Sequence, residues 1–192
     1  MSVSYLLSLM KLNINMNNKY IIGIDEVGRG PVAGPVAVCA FICQENFQKE
    51  IEIEVPLRDS KKLTKIQRDK WFEFLKSEKE KGNCDFAVTM VSAEWIDKTG
   101  IIRSIKKALA TSLDKIASSE FVNSSRLTLK GSDTTQNLQI QTSLKILLDG
   151  GLKAPDEYIN QETVIKGDEL HPVISCASII AHVSSYLCRS QI

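Results

Sequence analysis

The sequence has little net charge: 24 Lys and Arg against 23 Asp and Glu leave +1. That is well short of the basic balance of many nucleic-acid binders, so any such partner has to be met by a local patch. It has no C-x-x-C pair, and Cys39, Cys43, Cys84, Cys176 and Cys188 are an odd number. This argues against a disulfide framework or a zinc site; the cysteines read as small core residues in a reducing compartment, the cytoplasm. No apolar run is long enough to span a bilayer. The apolar stretch Tyr5 to Met10 has no basic residue before it and no small-residue cleavage site after it, which makes a poor signal peptide. Translation beginning at Met16 is the alternative reading of that start. No internal repeat is present, and the expected state is a monomer with no membrane association.

What is present is an ordinary globular composition, 43% hydrophobic over 192 residues, enough for one main domain with a small appendage. We expect an extension over 1–18 and a domain over 19–192. Tyr20 to Ile24 and Val36 to Cys43 are apolar runs of strand length; Asp85 to Val91, Leu144 to Leu148 and Thr163 to Ile165 are further strand candidates. Thr64 with Gln67 predicts a capping box opening a helix from about Lys65 to Lys79. A short helical turn at "SAEWID" is closed by Gly100. Ile102, Ile105, Leu109, Leu113 and Ile116 recur at spacings of three and four, the clearest amphipathic helix. Residues 118–143, rich in Ser, Thr, Asn and Gln, read as an exposed insertion, and a closing helix runs from Ser175 to about Leu187. Trp71 and Trp95 are expected in the core. Alternating strands and helices predict an α/β fold with a mixed sheet, because the first two strands are joined too closely for a helical crossover.

Asp25 with Glu26, Asp149, and Asp168 each stand at or just past the C-terminal end of an apolar strand, where open α/β sheets build their sites. Four carboxylates brought together cannot all stay ionised without compensation. Oxygen ligands without histidine or thiolate select hard ions, Mg²⁺ or Mn²⁺. Such a set suits two-metal phosphodiester cleavage, with the ions roughly 3.5–4 Å apart.

In "GIDEVGRGPVAGP", Gly28 and Gly30 let the backbone approach a bulky ligand, Arg29 offers donors to a phosphate, and Pro31 and Pro35 stiffen the loop. Arg58, Lys61, Lys62 and Lys65 form a basic cluster ahead of a helix, suited to flanking phosphates. Ser175 and Ser178 offer hydroxyls and helix-start amides near Asp168 that could hold a phosphate. Each has a plainer reading: Asp149 a turn former, Asp168 a loop acid, the lysines a solvated helix entrance, Arg29 a structural partner for a neighbouring carboxylate. A dinucleotide-binding loop fails on spacing, since the glycines run G-x-G-x-x-x-G and the prolines would spoil the helix that must follow. His171 and His182 receive no metal.

Taken together, "YIIGIDEVGRGPVAGPVAV", "DSKKLT", "LLDGG" and "IKGDELHPVISCASIIAHV" resemble bacterial ribonuclease HII, the type 2 ribonuclease H family, over most of Tyr20 to Val183. The resemblance implies a ribonuclease H-like fold, a mixed five-stranded sheet flanked by helices. It implies hydrolysis of the RNA strand of RNA/DNA hybrids and of ribonucleotides embedded in duplex DNA, leaving 5′-phosphate and 3′-hydroxyl ends. The metal-binding acids fall on Asp25, Glu26, Asp149 and Asp168, the loop that contacts the 2′-hydroxyl on Gly28, Arg29 and Gly30, and a phosphate-contacting lysine on Lys61.

Two departures accompany the match. Where many members have lysine in "AKV" this chain has His182. Where they continue with a "TRD"-like sequence, a further helical region and a sugar-packing tyrosine, it reads "SSYLCRSQI", and Tyr186 does not take that tyrosine's role. The alternative expectation is therefore a hybrid-binding module without catalysis.

Overall fold

The computed structural model describes residues 19–30, 34–47, 62–124 and 144–189. The chain runs β1 (Tyr20–Val27), β2 (Val36–Gln44), α1 (Lys65–Glu80), β3 (Cys84–Val91), α2 (Ala93–Thr99), α3 (Ile101–Ala117), α4 (Glu120–Ser124), β4 (Leu144–Asp149), β5 (Gln161–Val164), α5 (Gly167–Leu170) and α6 (Pro172–Arg189). The strands form one sheet in the order β3-β2-β1-β4-β5. β2 is antiparallel to both β1 and β3, whereas β4 is parallel to both β1 and β5. This is the mixed five-stranded sheet that the strand spacing and the resemblance imply.

Alternation along β1 sorts the core into two layers. Ile22 and Ile24 face Ile105, Leu109, Leu113 and Ile116 of α3. Ile21, with Cys39, Phe41 and Cys43 of β2, faces Val173, Ile174, Cys176 and Ala177 of α6. The second layer is unusually close. A Cβ built on Gly23 would lie 2.3 Å from the carbonyl oxygen of Val173, so only glycine lets the helix backbone rest on the strand there.

Local chemistry explains most element ends. The Thr64 side chain accepts from Gln67 N, and Gln67 Oε1 accepts from Thr64 N at 2.8 Å. Gly100, at φ +84°, closes α2. α6 begins at Pro172, three residues earlier than expected, because proline suits the first helical position, where its missing N–H is no loss.

Several expectations need correction. Ile102 and Ile165 are 69% and 80% exposed rather than core. Trp71 is buried with its ring edge-on to Phe74 at 5.9 Å, but Trp95 is 43% exposed beneath Lys107 Nζ, 4.1 Å from its ring centroid. The reason is that α2 buries no residue at all. The segment read as an insertion starts inside the fold: Val122 is buried and the Phe121 ring meets Tyr20 edge-on at 6.1 Å. Residues 125–143, the expected extension 1–18, and Pro31, Arg58 and Lys61 lie outside the described residues. Cys39, Cys43, Cys84 and Cys176 are buried free thiols, pushed up by that burial. Among the described residues no helix is long and apolar enough to cross a membrane.

Candidate active site

β1 and β4 are parallel neighbours whose last paired residues are Ile24 and Leu148. The next residues along, Asp25 and Asp149, therefore stand side by side where the parallel pairing of the two strands ends. Asp25 is on the α6 face of β1 and only 4% exposed. Burial pushes its carboxyl up to about 8; the charges of Glu26 and Asp149 push the same way, while hydrogen bonds from the Ser178 hydroxyl and from Glu26 N oppose them. The Glu26 amide reaches Asp25 Oδ1 at 2.7 Å.

Glu26 accepts an ion pair from Arg29, Nε to Oε1 at 2.8 Å. The plainer reading of Arg29, a partner for a neighbouring carboxylate, is thus the one this geometry displays, although its side chain is half-exposed. The two glycines around it differ. Gly28 has φ +112° and a Cβ there would lie 2.6 Å from the Pro35 carbonyl, so the returning loop itself requires glycine. Gly30 has nothing within 4 Å of its Cβ position and is exposed, leaving open room for a ligand.

Asp149 is tied to Asp168 through one residue. Its Oδ1 accepts from Gly167 N at 2.6 Å, and Asp168, next in sequence, is 5% exposed. A Cβ on Gly167 would stand 2.5 Å from Ile174 Cδ1 and 3.3 Å from Asp149 Oδ1. Before it, Lys166 takes φ +55°, the one left-handed non-glycine among the described residues. A lysine there is strained by roughly 1–3 kcal/mol, and the surrounding contacts hold it in place.

Ser175 and Ser178 face inward, 3% and 1% exposed. The Ser175 hydroxyl donates to the Asp168 carbonyl and Ser178 bonds the Asp25 carboxyl. They lie one and two turns into α6 rather than at its start, so they orient the acids instead of presenting helix-start amides to a phosphate. Sequence reasoning missed Gly23, Lys166 and Gly167; "KGD" was the available signal, a glycine placed directly before an acid.

Asp25, Glu26 and Asp149 are close enough for their charges to act on one another, and Asp168 adjoins the residue that holds Asp149. Among the described residues no three His, Cys, Asp or Glu side chains are grouped to hold an ion. The donor set nevertheless fits a hard divalent cation. Mg²⁺ is ordinarily held by one or two carboxylates and completes its shell with waters and substrate phosphate oxygens. A carboxyl raised chiefly by burial, and further by two neighbouring negative charges, is also the group a cation would return to its ionised form.

Comparison with known proteins bears on the family and the fold. A sequence model of the family described as Ribonuclease HII matches residues 22–188. The Ribonuclease HII of Fusobacterium nucleatum is 32% identical over 170 residues, 88% of this chain and 66% of that protein. The chain spans about half to two thirds of the length of the curated relatives it matches. The crystal structure of ribonuclease H2 from Pyrococcus horikoshii is similar at TM-score 0.58 and 24% identity, covering 90% of this chain and 74% of that one. That of Bst-RNase HIII in complex with Mn²⁺ is similar at 0.60 and 20%, covering 94% and 56%. At these identities the likeness establishes the ribonuclease H-like fold.

Proposed function

The chain belongs to the ribonuclease HII family, and on that premise we propose that it is an endoribonuclease. It hydrolyses the RNA strand of RNA/DNA hybrids and ribonucleotides embedded in duplex DNA, leaving 5′-phosphate and 3′-hydroxyl ends. The observation that supports this reading is that Asp25 and Asp149 directly follow the parallel pairing of β1 with β4, while Asp168 is next in sequence to the amide that holds Asp149.

Two divalent ions, Mg²⁺ or Mn²⁺, bound by Asp25, Glu26, Asp149 and Asp168 would supply Lewis-acid stabilisation and activate the attacking water. The chain's own part is to place and hold. Ser178 and the Glu26 amide fix Asp25, Gly167 N fixes Asp149, and Ser175 fixes the turn that carries Asp168. The open surface at Gly30 leaves the backbone of Gly28 to Gly30 free to meet a ribose 2′-hydroxyl. Arg29, already turned toward Glu26, offers its remaining guanidinium donors to a phosphate. Lys61 is assigned a flanking phosphate contact on sequence position alone.

The test uses a duplex with one ribonucleotide and an all-DNA duplex, each incubated with the full chain and Mg²⁺ or Mn²⁺. The ribonucleotide duplex is nicked with a 5′-phosphate on the downstream product and the all-DNA duplex stays whole. Binding without nicking in either ion would overturn the enzymatic reading in favour of a binding module.

A further inference from the structure

α6 is a ruler laid along β1. It starts with Val173 against Gly23, reaches Asp25 through Ser178, and ends at Arg189, about 16 Å beyond Ser178 at 1.5 Å per residue. There its guanidinium meets the loop that follows β1: a Cβ on Gly34 would stand 3.2 Å from Arg189 Nη2 and 3.3 Å from Cζ. Gly34, at φ +132°, leaves the room in which the flat group rests against the loop backbone.

The cations along this helix, from its first residues to its last, are not equivalent. Arg29 is bound to Glu26, Lys62 to Glu169 at 3.0 Å, and Lys65 to Asp69 at 3.0 Å. Lys65 also stands over the Tyr186 ring at 4.6 Å, one turn before Arg189. Arg189 is exposed and, among the described residues, has no carboxylate partner. It therefore couples a position set by the Gly34 contact to a planar charge that no described carboxylate pairs with, on the side of the sheet where β1 and its loop end.

The geometry points to Arg189 as a phosphate-binding residue, holding the sugar-phosphate backbone of the duplex several nucleotides away from the acids. This rests on the ribonuclease reading above. A guanidinium suits the task because its donors match phosphate oxygens in pairs and its charge cannot be titrated away. The loop contact pre-orients it, so little freedom is lost on binding.

The experiment measures affinity of the full chain for a labelled RNA/DNA hybrid in EDTA across a salt series, and steady-state cleavage in Mg²⁺. Each phosphate neutralised contributes about 0.9 to the slope of log K against log salt, so Arg189→Ala lowers the slope by about 0.9 and weakens binding about eightfold at 0.1 M salt. Arg189→Lys keeps the slope. In cleavage, Arg189→Ala raises KM and leaves kcat in place. A slope unchanged in Arg189→Ala, while the wild type still binds and cuts, overturns this inference alone and leaves Arg189 a brace for the loop. A wild type that neither binds nor cuts overturns the ribonuclease reading, and this one with it.

Discussion

Against one face of the sheet α3 sets Ile105, Leu109, Leu113 and Ile116; against the other α6 sets Ser175, Cys176, Ala177, Ser178 and Ala181. The first face is held by large apolar side chains. Its main buried polar link is Ser112, whose hydroxyl reaches the Val38 carbonyl at 3.0 Å and Thr89 Oγ1 at 2.9 Å. The second is held by close backbone approach over Gly23 and carries the buried acids Asp25 and Asp168 with the serines that bond them. Small residues bring α6 near enough for its hydroxyls to reach carboxylates at the strand ends. The α3 face stabilises the sheet, and the α6 face also builds the site.

Substitutions on the two faces should separate these jobs. Leu109→Ala removes a fully buried side chain and costs about 2–5 kcal/mol. Chemical denaturation will show that loss, while the cleavage rate per folded molecule stays unchanged. Gly23→Ala forces a methyl into the Val173 backbone and costs about 1–3 kcal/mol or more. Here the rate per folded molecule falls as well, because the displaced helix carries Ser178 away from Asp25; an unchanged rate would dissolve the distinction between the faces.

Smaller effects sharpen the comparison. Thr64→Ala removes the α1 cap at about 1 kcal/mol, read as a shift in the unfolding midpoint, with activity unaffected. Lys166→Gly relieves the left-handed strain ahead of Asp168 and adds up to about 1 kcal/mol once glycine's greater unfolded freedom is subtracted.

The legibility of the sequence follows the same division. The α3 helix could be read from its spacing because large apolar residues carry periodicity, and the cap of α1 because Thr64 and Gln67 are local partners. Asp149 could be placed because it ends the apolar run of its strand, whereas Asp25 and Glu26 lie inside β1, which runs on to Val27, and Asp168 sits in the helical turn after β5. Gly23, Gly167 and the inward turn of Ser175 and Ser178 could not be placed. Their roles come from contacts between residues far apart in sequence, and no window of neighbouring residues records which helix will rest on a glycine. The docking of Phe121 was hidden for a simpler reason, since two apolar residues in a polar stretch show no period.

The central claim is that the α6 face gathers negative charge that a divalent cation relieves. Asp25 is an ordinary carboxyl near 3.8 when unfolded and is raised to about 8 when folded. The folded chain thus keeps a proton that the unfolded chain releases, and this contribution to stability, full below about 4, is lost as pH rises toward and through 8. The decisive measurement is the melting temperature from pH 5 to 9, with and without Mn²⁺, taken as the difference between wild type and Asp25→Asn. Without the ion, wild type should lose ground to Asp25→Asn as pH rises, and Mn²⁺ should restore it by an amount that grows with pH. A difference flat in pH and indifferent to Mn²⁺ would contradict the account.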